Sequence, residues 1–585
     1  MSFDYPIDSS KILLNRRKLF TPLKNPKKQI NVAVLGASTT DELCEQIKYF
    51  FYTKNISCRI FQSNFGQFMS ESLDPSDELI NFKPDFIYVH TSIKSLKIYD
   101  VDLNNHADFV DSHIKDFNMM AESLKLFNCP IILNNYEFPD LRLFGNIDRL
   151  IDGGLVKLID SINTKIHEII NNKKFLYLND INYLSAKLGL DLWFDDSQWY
   201  KSKYSTSISV IPALVKNIGN IIIAITGETK KVVALDLDNT LWGGVIGDDG
   251  ASKIKIGEGD PIGEGHFHLQ KLLALLKSRG VLLTINSKND IDNVKKSFKS
   301  GRNFLKIEDF SYIAANWERK DLNLLETAQA LNLGADSFVF IDDNPAEQSI
   351  VRDNILGISV PKLHKNVEDY PKFLFDNGFF ETISFSNEDK ERANIYKKNL
   401  ERDELRHSLT SYSDYLKSLE MTSFVENFNS NNSERVVQLL NKTNQFNFLT
   451  NRYTYEELNK KLSSKNEFLI CANLNDKFGD NGIISIVGGY VDKKSFYIDN
   501  FVMSCRVLKR GMEDFILNNV IDIARGNGCS EIVGMFKKSE KNSMVKNFYQ
   551  DRNFNLELVE NSIEYWHSEL ESISVDDNFI QKGNK

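Results

Sequence analysis

Hydrophobic positions along this chain fall into two kinds of stretch. Short apolar or β-branched runs at residues 30–35, 57–62, 86–90 and 130–134 predict strands, and amphipathic segments between them, such as 41–51 and 114–127, predict helices. Thr39 or Thr40 can cap the first helix, with Asp41 and Glu42 in its opening turn. The same rhythm resumes with strands at 231–235, 281–285 and 337–341 and helices at 265–279 and 316–331, which Gly280 and Gly334 terminate. Gly243, Gly244, Gly247 and Gly250 predict a β-hairpin between the first of these strands and its helix. Strand–helix alternation means parallel sheets of the doubly wound kind.

The pattern changes towards the end. Residues 384–417 are charged and helix-prone, and beyond 419 strands are expected at 468–473, 483–491, 495–503 and 531–536, with a helix at 511–525. At 585 residues the chain is too long for one core. The fold class expected is α/β and multidomain: an N-terminal doubly wound sheet, a central Rossmann-like sheet and a C-terminal α+β domain. The boundaries read as an extension at 1–28, an α/β domain at 29–200, a linker helix at 201–229, a second α/β domain at 230–375, a helical connector at 376–418, an α+β domain at 419–568 and a polar tail at 569–585, disordered from 576. The aromatic cluster of Trp193, Phe194 and Trp199 reads as packing between domains.

Composition narrows the function classes. With 42% hydrophobic and 26% charged residues the chain is an ordinary globular protein. A net charge of −9 argues against nucleic acid as the main partner, and the basic runs at 16–18 and 24–28 read as solvated. Six cysteines without a CxxC spacing point to a reducing compartment, with neither a zinc site nor a disulfide framework. Residues 1–10 lack a signal-peptide core and no uncharged run reaches membrane-spanning length, so a cytoplasmic protein without membrane insertion is expected.

Candidate chemistry gathers at strand ends. The strand at 231–235 stops at Asp236 and Asp238, followed by Thr240. Open α/β sheets bind ligands at the carboxyl ends of their strands, and two carboxylates there repel unless a cation or a proton resolves them. A solvated acidic turn is the plainer alternative. However, the neighbouring strand ends at Ser287, whose hydroxyl can hold a phosphate oxygen, and the strand at 337–341 ends at Asp342 and Asp343. Lys320, at a helix start, can point its ammonium into the crevice; pairing with Glu318 or Asp321 is the alternative, although adjacent helical residues do not face each other. Four such features in order outweigh the turn reading.

Taken in that order, Asp236-x-Asp238-x-Thr240, Ser287, Lys320 and Asp342-Asp343 resemble the four motifs of the haloacid dehalogenase (HAD) superfamily of phosphotransferases. The longer strings at 236–247, 316–320 and 340–347 resemble FkbH-like proteins of HAD subfamily IIIC, and the likeness extends from Val32 to about Phe554, taking in 73–75, 441–447 and 504–506. The resemblance implies Mg²⁺ held by Asp236, Asp238, Asp342 and Asp343, with Asp236 as nucleophile and Asp238 as general acid and base. Ser287 and Lys320 would hold phosphoryl oxygens. It further implies an activity that dephosphorylates 1,3-bisphosphoglycerate and loads the glyceryl group onto an acyl carrier protein, in polyketide or surface-polysaccharide biosynthesis. A phosphorylated small molecule and a carrier protein are then the expected partners. A simple phosphatase and a non-catalytic assembly factor are the alternatives. One departure bears on the choice: relatives that load glyceryl carry cysteine before the motif serine, and here Asn286 stands there. An amide cannot carry an acyl group. The acyl group passes directly to a carrier thiol, or Cys505 takes it, or the protein only dephosphorylates.

The outer domains carry weaker resemblances. Gly36-Ala37-Ser38 after the first strand is similar to the nucleophile turn of SGNH hydrolases, and Gly66 and Asn135 fall near where their oxyanion donors would lie. Ala37 replaces the usual aspartate, and 191–200 lacks the histidine of the family's Asp-x-x-His, so a binding pocket is the reading for Ser38, Gly66 and Asn135. The turn running from Cys505 into the helix at 511 resembles the pyrophosphate loop of GNAT acetyltransferases, with Lys509 in place of a glycine. Arg506, Arg510 and Gly511 would then cradle a phosphopantetheine-like arm.

Overall fold

The computed structural model describes residues 3–15, 21–96, 98, 105–363, 366–385, 387–409, 411–453, 455–539, 541–575 and 579–583; the basic run at 16–18 lies outside them. Two compact units result, one of Met1–Ala224 with Thr454–Leu458, the other of Ile225–Tyr453 with Asn459–Lys585.

The first unit is built on five parallel strands: β1 (Lys28–Gly36), β2 (Ile56–Gln62), β3 (Phe86–His90), β4 (Ile131–Asn134) and β5 (Leu176–Asn179), in the order β2-β1-β3-β4-β5. All of β3 and β4 is buried, which is why their sequences run apolar without alternation. The chain leaves β1 for β2 on one side and returns to β3 on the other. The switch point therefore lies between the carboxyl ends of β1 and β3. The helix Ile211–Ile225, expected as a linker, belongs to this unit up to Ala224. Gly219 makes its packing possible, since a Cβ there would stand 2.2 Å from the ring of Phe50 in the helix Asp41–Thr53. Trp193 is fully buried and Trp199 half-buried, with the Lys203 ammonium over its ring.

In the second unit β6 (Val232–Leu235), β7 (Leu282–Ser287), β8 (Tyr312–Ala315) and β9 (Phe338–Ile341) form a parallel sheet in the order β8-β7-β6-β9. Alternate side chains serve two cores. Val233, Leu235, Leu283, Ile285, Val339 and Ile341 join one, whereas Val232, Ala234, Leu282, Phe338 and Phe340 join the other. The helix Pro261–Ser278 starts four residues before the expected position, because Asp260 accepts from the Gly263 N–H and Pro261 sits at the first helical position. The predicted hairpin is instead a helical turn, Ile246–Asp249, with Gly243 meeting Lys255 in an isolated antiparallel bridge. Carboxylates decide the matter: Asp249 accepts from the Val245 N–H at 2.9 Å and Asp238 from the Ile246 N–H at 3.0 Å. Gly244, at φ +92°, makes the bend that brings them there.

Helices Asn387–Ser408 and Tyr412–Ser418 lead into a mixed sheet. Its centre is an antiparallel meander of Glu467–Asp476, Gly479–Asp492 and Ser495–Met503, beside which Glu531–Phe536 runs parallel. The hairpin Asn555–Glu560 and Ile563–Glu569 completes one edge. The helix Met512–Gly526 and a knot of rings (Phe446, Phe448, Phe501, Phe548) fill the core. The architecture is thus α/β and multidomain. Part of the tail expected to be disordered is an edge strand, since Gln581–Lys582 pairs parallel with Thr422–Ser423; 576–578 and 584–585 lie outside the described residues. No described helix is long and apolar enough to cross a membrane.

Candidate active site

β6 delivers Asp236 to the crevice at its carboxyl end, where the Asp236 N–H donates to the carbonyl of Ile341 on β9 at 2.9 Å. That bond ties the two acidic strand ends together. Carboxylate oxygens of Asp236, Asp342 and Asp343 lie within 4.8 Å of one another. Lys320 opens the helix Lys320–Ala330 and sends its Nζ back to Asp342 at 2.6 Å and Asp236 at 3.0 Å. Asp321 instead pairs with Arg319 at 2.6 Å, and among the described residues Lys320 forms no ion pair with Asp321 or Glu318.

The electrostatics follow. Burial alone would depress the Lys320 ammonium, but Asp236 and Asp342 outweigh it and hold its pKa above the ordinary value. Burial, then the neighbouring Asp236, pushes both Asp342 and Asp343 above the usual carboxylate range. Three carboxylates against one ammonium leave two negative charges in a nearly dry crevice. A divalent hard cation on oxygen ligands resolves them, and the donor set of Asp236, Asp342 and Asp343 fits Mg²⁺.

Asp238 departs from the expected metal set. Among the described residues it does not belong to the carboxylate group. Its Oδ1 accepts from Trp242 Nε1 at 2.9 Å and from the Ile246 N–H, and its Oδ2 accepts from Asn289 Nδ2 at 3.0 Å. Three donors fix the carboxylate at the crevice edge, half-buried and free of the cluster. Asn289 also donates to Ser287 Oγ at 3.1 Å and so joins two motif residues that β6 and β7 supply separately. Neither Asn289 nor Trp242 was assigned a role from sequence; the i, i+4 spacing of Asp238 and Trp242 was the available signal. The hydroxyl of Thr240 accepts from the Asp343 N–H at 3.1 Å, and its carbonyl meets His266 Nδ1 at 3.0 Å.

Asn286 is buried on β7. Its Nδ2 donates to the carbonyl of Lys320 at 2.9 Å, which seats the start of the lysine's helix. Cys505 packs against the core face formed by Val232 and Ala234, and with Lys231 it lines a cavity of about 380 Å³. Lys231 precedes β6 whereas Asp236 follows it, a separation of five residues and therefore about 16 Å. Cys505 is thus at the wrong end of the strand to take an acyl group from the crevice.

The other expected clusters differ from their readings. Arg510 is buried: its guanidinium pairs with Asp476 at 3.2 Å and donates to Asn399 at 2.7 Å and to the carbonyl of Arg506 at 2.8 Å. Arg402 meets the same Asp476 at 2.6 Å. Arg506 donates to Ser504 Oγ at 3.1 Å. Arg510 is therefore engaged by the chain's own Asp476 and fastens the turn to the sheet, and Gly511, at φ +82°, caps the helix behind it. In the first unit Asn135 turns away from Ser38, donating to Asp180 at 2.7 Å, and Gly66 lies in an exposed turn. Ser38 Oγ instead meets Ser205 Oγ at 2.9 Å.

No curated protein matches the chain. It is similar to the N-terminal part of BF1531 from Bacteroides fragilis, a structure containing a phosphatase domain complexed with Mg, at 29% identity and a TM-score of 0.60 over 64% of this chain and 99% of that one. A GNAT-family acetyltransferase from Streptococcus pneumoniae matches 25% of this chain and 98% of its own at 19% identity, with a TM-score of 0.20. Residues 31–223 match the family model described as the FkbH N-terminal domain.

Proposed function

We propose that the protein is a Mg²⁺-dependent phosphatase-type phosphotransferase acting on a phosphorylated three-carbon acid such as 1,3-bisphosphoglycerate, whose acyl group goes to the thiol of an acyl carrier protein. The observation that carries this is the convergence of Asp236, Asp342 and Asp343 on one point, with the Lys320 ammonium bonded to two of them. The likeness to a Mg-complexed phosphatase domain supports it.

Asp236 is the nucleophile. A carboxylate oxygen attacks the phosphorus of the C3 phosphate ester and the C3 oxygen departs, which divides one difficult displacement into two easier ones. Asp238, held by Trp242, Ile246 and Asn289, gives the leaving oxygen its proton and then takes one from the attacking water. Lys320 and Ser287 stabilise charge on the phosphoryl oxygens. When bound, Mg²⁺ supplies charge neutralisation to the carboxylates and the phosphoryl group.

Asn286 and Cys505 shape the second half. The amide offers no thiol and Cys505 lies beyond the far end of β6, so the carrier thiolate attacks the acyl carbon directly and the C1 phosphate leaves as inorganic phosphate. The same absence of a thiol beside Ser287 favours a second reading, a phosphatase that makes no transfer. Incubation with 1,3-bisphosphoglycerate, Mg²⁺ and holo-carrier protein tests both. Phosphate release together with a heavier carrier supports transfer, and release with an unchanged carrier selects the phosphatase. Loss of the C3 phosphate that persists in Asp236→Asn would overturn both.

A further inference from the structure

A second group of reactive side chains stands at the switch point of the first unit's sheet. Ser38 follows β1, His90 ends β3, and Ser205 lies between them. Ser38 Oγ is 2.9 Å from Ser205 Oγ, which is 3.2 Å from His90 Nε2. All three are buried.

Hydrogen bonding fixes the direction of every proton in this group. Asn134 Nδ2 donates to the carbonyl of Thr91 at 2.7 Å, so its Oδ1 accepts from Asn179 at 2.7 Å and from Tyr88 OH at 3.1 Å. The one proton of Tyr88 is then spent. Its oxygen can only accept from His90 Nδ1, 3.0 Å away, so the ring carries its proton on Nδ1 and presents a lone pair at Nε2. Ser205 must donate to that lone pair and accept from Ser38. Burial pushes the imidazole down to about 4, which keeps the lone pair available at neutral pH.

We propose that Ser38 is the nucleophile of an acyl-transfer site at this switch point, activated through Ser205 by His90, with small acyl esters or thioesters as substrates. Ser38 Oγ bonds to the acyl carbon as the substrate's C–O or C–S bond breaks. The Ser38 proton passes to Ser205 Oγ, whose own proton passes to His90 Nε2. Ser205 then gives one proton to the departing alkoxide or thiolate as His90 Nε2 returns the other to Ser205 Oγ. Water then releases the acid by the same steps and restores Ser38. Tyr88 and Asn134 are positioning residues that hold the tautomer. Thr39 bonds to the carbonyls of Lys203 and Ser202 at 3.0 and 2.6 Å, fastening the segment that carries Ser205 beside Ser38.

The test uses the full chain and an alkyl fluorophosphonate, with the modified residue located by peptide mass spectrometry. Ser38 is expected to be labelled, about a hundredfold more slowly in Ser205→Ala and in His90→Gln. Ser205→Ala removes a single oxygen, and its thermal melt reports whether the fold is kept. Release of p-nitrophenol from its acetate and of thiol from an acetyl thioester distinguishes the two substrate types. A wild-type chain that melts cooperatively but is not labelled at Ser38 overturns the proposal. So does labelling at Ser205 instead, or a Ser38 rate that neither variant changes.

Discussion

Lys320→Met removes the cation that bridges Asp236 and Asp342 while keeping most of the side chain's volume. In the native chain Lys320 bonds to Asp342 at 2.6 Å and to Asp236 at 3.0 Å, and it is almost wholly buried. At an effective dielectric of about 20, each contact represents roughly 6 kcal/mol of Coulomb attraction, much of it offset by the desolvation of the charges. Breaking such a buried group from one side leaves a net cost of about 3–5 kcal/mol. The metal-free variant is therefore expected to melt well below wild type. Mg²⁺ and the ammonium compete to neutralise the same carboxylates, so the variant should bind Mg²⁺ more tightly. At a hundredfold excess over its dissociation constant the ion restores about 2.7 kcal/mol. Turnover should not recover with stability, because a donor to the transferring phosphoryl group is gone, a loss of about 10²–10³ in kcat. Isothermal titration with Mg²⁺, melting curves with and without the ion, and phosphate release read the three effects separately. Weaker Mg²⁺ binding in Lys320→Met would refute the idea that lysine and metal share one set of charges.

Two other perturbations follow from the same geometry. Trp242→Phe deletes one of three donors to Asp238, at 2.9 Å, and should lower kcat of phosphate release about tenfold with little change in KM, since the carboxylate is loosened but stays at the crevice. Glu137, buried and bonded to Ser92, is pushed up to about 7 by burial, the hydroxyl pulling the other way. The folded state therefore holds a proton that the unfolded chain releases near pH 4.3, and this contribution is present in acid and lost as pH rises through about 7. Glu137→Gln should remove on the order of 3 kcal/mol of that pH dependence, visible as a flatter melting temperature between pH 5 and 8.

The sequence was readable where a single run of residues decided the structure. β3 and the strand Ser495–Met503 have their expected limits because apolar and β-branched residues continue through both. β5 and β8 escaped notice, being four-residue edge strands with half-exposed positions. Asn555–Glu560 is exposed throughout and carries no burial pattern to read. The glycines and aspartates at 243–250 suggested a hairpin because their preference for turns is local, whereas the helical turn depends on Asp238, eight residues before Ile246. The same limit hid the site contacts. Asp236, Lys320 and Asp342 could be ordered from sequence, but His90 and Ser205 are 115 residues apart and meet only through the sheet. Arg510 looked like an anion ligand because Asp476, which occupies it, comes from a distant strand.

Val232–Leu235 is four residues long, and none of them is spare. Two fill one core, two fill the other, and the next residue is Asp236. Inserting or deleting one residue would exchange the faces and carry the nucleophile out of the crevice. Evolution can therefore alter this strand only by trading volume within a face. Selectivity has to be retuned in segments beyond the strand, such as the loops at 250–257 and 316–319, which lie outside the turn whose Ile246 N–H holds Asp238. An engineer seeking a new substrate would leave the strand untouched and diversify those two loops.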